Sequence, residues 1–442
     1  MANYDLIIQG AKVYTPSGLE RLDIGIFAGK IEALACLHDA SAQERLDATG
    51  LVVLPGFIDT QVHFREPGLE HKEDLESGTR SAILGGVTTI FEMPNTNPLT
   101  TSPETLADKV ARANGRAWSD FSFFMGATSE NAAHLHEWEL LPGCAGVKIF
   151  MGSSTGSLLV EGDADLRHVL RNGRRRVSVH CEDEARMRDR KYLAEESRDP
   201  ASHPVWRDEV AALMATTRLL HLAEEAGRMV HVLHVTSRDE AILLGKWKHR
   251  ATMEVTPQHL SFTAPECYNR LGTLAQMNPP IRSVEHQLAL WAAVADGTAD
   301  VLGSDHAPHT LEEKAKPYPQ SPSGMTGVQT LLPVMLNHVA QGNLSLQRLV
   351  DLGCAGPARI FQIARKGRIA RGYDADFAIV DLNRKQVVQR DWIASKCGWS
   401  PYEGETLTGW PIHTVLRGKV VVRDGELQGP PAGEPVRFLD VP

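Results

Sequence analysis

Apolar and polar positions alternate over residues 5–35, in DLIIQGAKVY and DIGIFAGKIEALA, around Gly10 and Gly29. A period of two marks half-buried strands joined by turns, here expected to be antiparallel. The same texture returns in GRIARGYDADFAIVDL (367–382) and in HTVLRGKVVVRDGE (413–426). Neither end holds enough strands to bury a sheet face alone, so the two termini are expected to pair into one small β domain.

Between the ends the rhythm changes to short apolar runs, each followed by a longer helical pattern. Eight such runs stand in the order LVVLPGFI (51–58), VTTIFEM (87–93), FSFFMG (121–126), AGVKIF (145–150), RVSVHC (176–181), MVHVLHV (229–235), ATMEVT (251–256) and ADVLGSD (299–305). Near-continuous hydrophobic runs alternating with helices are the signature of parallel strands buried on both faces. Eight of them predict a (β/α)8 barrel of the TIM type over residues 55–364. A discontinuous β-sandwich would be built from residues 1–54 and 365–442. Helix starts agree with this phasing. Ser102 precedes Pro103 as an N-cap before a first-turn proline, and Ser237 with Glu240 has capping-box spacing. The basic cluster Arg174–Arg176 reads as a solvated loop.

Composition narrows the class. The chain has 442 residues, 42% hydrophobic and 23% charged, as in an ordinary globular protein. No apolar run approaches the roughly 20 residues that span a bilayer. With 46 basic and 55 acidic residues the net charge is -9, a poor match to a phosphate backbone, so no nucleic-acid partner is expected. The N-terminus lacks the pattern of a secretory signal, and the six cysteines show no framework spacing. Reduced thiols and a cytoplasmic location are expected.

Histidine is unusually frequent, at 18 residues. In a (β/α)8 barrel, catalytic groups stand at the C-terminal ends of the strands. Gln61, His63 and Arg65 follow the first strand and alternate so as to share one direction, and Asn95 follows the second. The fourth carries Lys148, which inside an apolar run must be paired, modified or shifted in pKa. The fifth ends at His180. The sixth carries His231 and His234 on opposite faces, which makes His231 the structural one of the two. Gln258 and His259 follow the seventh, and GSDHAPH ends the eighth with Asp305 and His309. One histidine near a strand end is ordinarily a hydrogen-bonded core residue. Imidazoles and carboxylates converging at one rim point to a metal site suited to zinc.

The ordered motifs PGFIDTQVHFREPG, HKEDLESGTRSAILGGVTTIFEMPNTNP, GVKIFMGS, HCEDE, HVLHVTS, EVTPQHL, MNPPIR, SDHAPHT and SGMTG closely resemble the dihydroorotases of the amidohydrolase superfamily. The resemblance implies reversible cyclisation of N-carbamoyl-L-aspartate to dihydroorotate and water, a step of pyrimidine synthesis. It implies zinc held by His63, Lys148 as an N6-carboxylysine, His180, His234 and Asp305, with Asp305 as general acid and base. It also implies substrate contacts from Arg65, Asn95, Asn278, His309, Ser323 and Gly324. Among these, a guanidinium is the side chain best shaped to grip a carboxylate. A homodimer is expected, and SPSGMTG (321–327) reads as a mobile segment over the mouth.

One departure stands out. Relatives begin with His-x-His after the first strand, whereas this chain has Gln61-Val62-His63. A neutral amide oxygen is a weaker zinc ligand than imidazole. One firmly bound zinc is therefore expected, with a second held less tightly. The loss opens the reading of an inactive subunit that partners aspartate transcarbamoylase, while an allantoinase or hydantoinase-type cyclic amidohydrolase, set apart by the residue at Arg65 and the REPG run, is the nearest enzymatic alternative.

Overall fold

The computed structural model describes residues 3–153 and 158–440. Eight parallel strands lie side by side in chain order. They are Phe57–Val62, Val87–Glu92, Asp120–Gly126, Cys144–Phe150, Val177–His180, Val230–Val232, Ala251–Val255 and Ala299–Leu302. The eighth is short, and closure falls to the segment after it: Val62 bridges His306, and His63 N donates to His306 O at 2.7 Å. This is the expected barrel, distorted where its ends meet. Ser102 and Ser237 each accept the backbone N–H three residues on in reciprocal capping boxes, which sets the helices in phase with the strands.

The run 51–58 is two strands, not one. Val52–Pro55 pairs antiparallel with Phe377–Val380 of the C-terminal segment, and the barrel begins only after Gly56. A β-carbon at Gly56 would stand 2.2 Å from Thr88 Oγ1, so only glycine lets the chain pass between the two sheets. The termini thus join in a seven-stranded sheet, against which a four-stranded N-terminal sheet packs through Leu6, Ile8, Val13, Ile24, Val53 and Phe377. The N-terminal strands are not all antiparallel. Asn3–Gln9 runs parallel to Ser41–Asp47, and Lys12–Thr15 parallel to Val52–Pro55.

Two further expectations are corrected. Arg175 is buried, gripping the Asp440 carboxylate through two bonds of 2.8 Å and the carbonyls of Glu139 and Cys144, while Arg176 Nη1 donates to Val230 O. The C-terminal segment folds over this turn and lays Phe438 against the Arg175 guanidinium, which removes it from solvent. Residues 321–327 are packed wall rather than a mobile cover. Ser321 and Gly324–Gly327 are buried, and Met325 bridges His306. All six cysteines are free thiols, and Cys36 alone is exposed. Among the described residues, no helix is long and apolar enough to cross a membrane.

Candidate active site

Gln61, His63 and Arg65, Lys148, His180, His234 and Asp305 line one small cavity at the C-terminal end of the barrel, closed by Phe150, Asn278, Ala307, Ser323 and Gly324. Its free volume is about 20 Å³, the room of one water-sized body. Three non-glycine residues of its wall, Arg65 (φ 69°), His234 (φ 38°) and Asp305 (φ 45°), hold left-handed backbone. Such strain persists where surrounding structure over-determines it, as at functional sites.

Two pairs of donor atoms face each other across the cavity. His180 Nε2 meets Glu182 Oε2 at 2.9 Å, which assigns the proton to Nε2 and leaves the Nδ1 lone pair 3.0 Å from His234 Nε2. Glu182 is itself held by Arg207, Nε donating to Oε1 at 3.1 Å, and this guanidinium keeps its carboxyl far below the usual range despite burial. Two imidazoles on one tetrahedral zinc stand about 3.3 Å apart. On the opposite side His63 Nδ1 meets Asn95 Oδ1 at 2.8 Å, and Nε2 stands 3.3 Å from Asp305 Oδ1. Burial lowers the pKa of His63, so its ring is neutral. With the proton on Nδ1, a lone pair confronts a carboxylate, an arrangement that calls for a cation between them. Gln61 Nε2 donates to Asp305 Oδ1 at 3.0 Å, while Gln61 Oε1 and His234 Nδ1 are buried without a partner.

Among the described residues, no three His, Cys, Asp or Glu side chains converge as a complete metal site. Each half is short of ligands, and Lys148 is the side chain whose charge reaches His63, His180, His234 and Asp305 alike. Desolvation lowers its pKa to about 7, leaving much of the amine neutral and nucleophilic near neutral pH. A carboxylate carried on Lys148 would complete both halves. The donor set fits zinc on that condition.

Arg65 is 1% exposed. Its Nε donates to Pro308 O at 3.1 Å and its Nη2 lies 3.2 Å from His309 Nε2, yet no carboxylate among the described residues is within ion-pair distance. Desolvation lowers its pKa to about 10. A buried cation without a counter-ion, opening on a cavity, is a place prepared for an anion.

The amidohydrolase family pattern matches residues 52–421, most of the chain. The chain belongs to the amidohydrolase family. Over 86% of its length this amidohydrolase is 37% identical to a dihydroorotase of Halobacterium salinarum, covering 91% of that relative. It is 36% identical to an allantoinase of Rubrobacter xylanophilus, with 99% and 98% of the two chains covered. Among solved structures, an L-hydantoinase (dihydropyrimidinase) from Arthrobacter aurescens superposes with a TM-score of 0.94 at 30% identity, covering 98% of this chain and 99% of that one.

Asn95 and His309 are not in the amidohydrolase's cavity wall; they stand behind His63 and Arg65 respectively. His231 points elsewhere, its Nδ1 2.8 Å from Thr252 Oγ1. Gln258 and His259 brace loops through Ser304 O and Pro279 O. Gly324 lines the wall, but its N–H is already donated to Gln276 O at 2.8 Å. Its contribution is space: a β-carbon there would stand 2.3 Å from Ala307 O. Sequence reasoning missed Glu182 and Arg207. HCEDE places Glu182 two residues after His180, a readable signal, whereas Arg207 lies 25 residues further on and carries none.

Proposed function

We propose that this amidohydrolase is a dihydroorotase, interconverting N-carbamoyl-L-aspartate with (S)-dihydroorotate and water in pyrimidine synthesis. The observation that carries the reading is Arg65, a buried guanidinium with no carboxylate at ion-pair distance among the described residues, beside the donor cluster. Dihydroorotate presents a ring amide and a carboxylate, and one side chain here serves each. Allantoin and hydantoin have no carboxylate and would leave Arg65 unpaired.

His180, His234 and a carboxylated Lys148 would hold zinc firmly, with Gln61, His63 and Asp305 forming a weaker second set. When bound, the metal supplies Lewis acidity toward the amide carbonyl and lowers the pKa of water to about 7. The protein does the rest. Arg65, backed by His309, grips the substrate carboxylate, and Asn278 with the loop at Ser323 and Gly324 encloses the ring. Asp305 Oδ1 is occupied by Gln61, whereas Oδ2 accepts no hydrogen bond among the described residues. That oxygen would take the proton from the attacking water and return it to the leaving ring nitrogen. In cyclisation the same oxygen runs the two transfers in reverse. Asn95 orients His63 through Nδ1.

The inactive-subunit reading and its aspartate transcarbamoylase partner lose ground, since Lys148, His180, His234, Asp305 and Arg65 share one cavity. A homodimer is supported by exposed apolar side chains on neighbouring helices: Val210 and Met214, Ile242, and Val284 and Leu288. Six free thiols suit a reducing cytoplasm. The deciding experiment assays purified, zinc-loaded protein on carbamoyl aspartate, allantoin and hydantoin. Cyclisation of the first should exceed turnover of the others about 10⁴-fold, the scale at which a site built for a polar group rejects ligands lacking it. Preference for a neutral ring overturns the assignment.

A further inference from the structure

Beside Arg65 the cavity wall is made by two irregular loops, one carrying Asn278 and the other Ser323 and Gly324. Neither has a ladder of backbone hydrogen bonds to fix its distance from the other. Between them stands Lys314, the last residue of the short Leu311–Lys314 helix, 1% exposed and outside the cavity lining. Its Nζ donates to Gln276 O at 3.3 Å, Pro322 O at 2.8 Å and Gly324 O at 3.1 Å. One acceptor belongs to the first loop and two to the second. The Trp399 ring closes the far side, 5.9 Å from Nζ.

No carboxylate among the described residues lies within ion-pair distance, and desolvation lowers the Lys314 pKa to about 7. A buried ammonium is costly, and here three carbonyl dipoles and the face of the Trp399 ring compensate it. The same junction receives Gly324 N on Gln276 O at 2.8 Å and Ser321 Oγ on Gln276 Oε1 at 2.5 Å. Lys314 is therefore the hub of a three-way tie between the loops that flank the substrate clamp.

We propose that Lys314 is a positioning residue for substrate: by tying the 276–278 loop to the 322–324 loop, it fixes the gap in which the ring lies while Arg65 holds the carboxylate. The proposal deepens the dihydroorotase reading and rests on it. Lys314 touches no reacting atom; it acts through Asn278, Ser323 and Gly324.

The test is Lys314→Met, which keeps the length and removes the three donors. The expected result is a KM for dihydroorotate raised about tenfold with kcat within about threefold, the scale of losing hydrogen bonds to a charged group. Zinc content should be unchanged. Amide hydrogen exchange over residues 321–325 should quicken. A lower melting temperature with KM unchanged would mean packing alone and overturns the proposal, as does a loss confined to kcat. Should the methionine variant fail to fold, Lys314→Gln, which keeps one amide donor, should give an intermediate KM; a wild-type KM overturns the proposal equally. If the zinc-loaded wild type does not turn over dihydroorotate, the activity reading falls. The exchange measurement then decides the tie, and unaltered protection of 321–325 refutes it.

Discussion

Gln61 would weaken one half of the proposed zinc site without dismantling it. Its Nε2 donates to Asp305 Oδ1, and its Oε1 is buried with no partner, so a neutral oxygen is available where the family resemblance implies imidazole. Such an oxygen binds zinc more weakly than nitrogen does. Gln61→His should therefore raise affinity for a second zinc about tenfold or more, read by calorimetric titration of protein already holding one equivalent. Unaltered affinity would mean that Gln61 does not limit that half of the site. The rim residues were legible because motif and strand phase agree: His63, Lys148, His180, His234 and Asp305 each fall in the C-terminal part of an expected strand or just after it. Arg175 was not, because its burial depends on Asp440 and Phe438, more than 260 residues away in the chain.

At the scale of elements, the strand order could be read from apolar runs, while the joints could not. Residues 51–58 form one hydrophobic run in sequence but two strands in space, since pairing with Phe377–Val380 and the tight passage at Gly56 are tertiary facts. The 321–327 segment, rich in small residues, reads as a flexible loop. It is fixed by contacts that composition does not reveal: the Lys314 tie, and the bridge between Met325 and His306. Gly324 makes this concrete, with φ at +146° and no room for a β-carbon beside Ala307 O. Gly324→Ala should displace the wall and raise KM for dihydroorotate at least tenfold. It should also cost about 1–3 kcal/mol of stability in denaturant unfolding, the usual penalty of a forced backbone conformation. A variant with wild-type KM and stability would show that the loop yields freely.

For the whole molecule, buried titratable groups predict how stability follows pH. Burial pulls His203, His231 and His309 down to about 3 and His259 to about 4, below the unfolded value of about 6.5. Their contribution is complete above pH 6.5 and is lost as pH falls toward those values. Burial raises Asp59 and Glu92 to about 7 and Glu254 to about 8. Their contribution is complete below about pH 4 and is lost as pH rises through 7 and 8. The two sets oppose each other between about pH 4.5 and 6.5, so the melting temperature of metal-stripped protein should rise less steeply there than it does below pH 4.5. It should fall steeply below pH 4.5, where the carboxyls are protonated in both states and the histidines act alone. Above pH 7 the carboxyl loss is opposed by Lys148 and Lys314, lowered from about 10.5 to about 7, whose contribution grows as pH rises, so no steep fall should follow toward pH 8. Differential scanning calorimetry from pH 3.5 to 8.5 checks the profile, and a steep fall between pH 7 and 8.5 would contradict the buried neutral amines.

Fold, metal donors and clamp meet at Arg65, where a barrel common to many cyclic-amide hydrolases would become selective for an anionic ring. The most direct test is the kinetics of Arg65→Met on dihydroorotate, with zinc content and melting temperature measured on the same preparation. The kcat/KM should be lower by about 10³-fold, as expected when a buried charge partner of 2–5 kcal/mol is removed, with zinc and stability preserved. An unchanged KM in a folded, zinc-replete variant would contradict it.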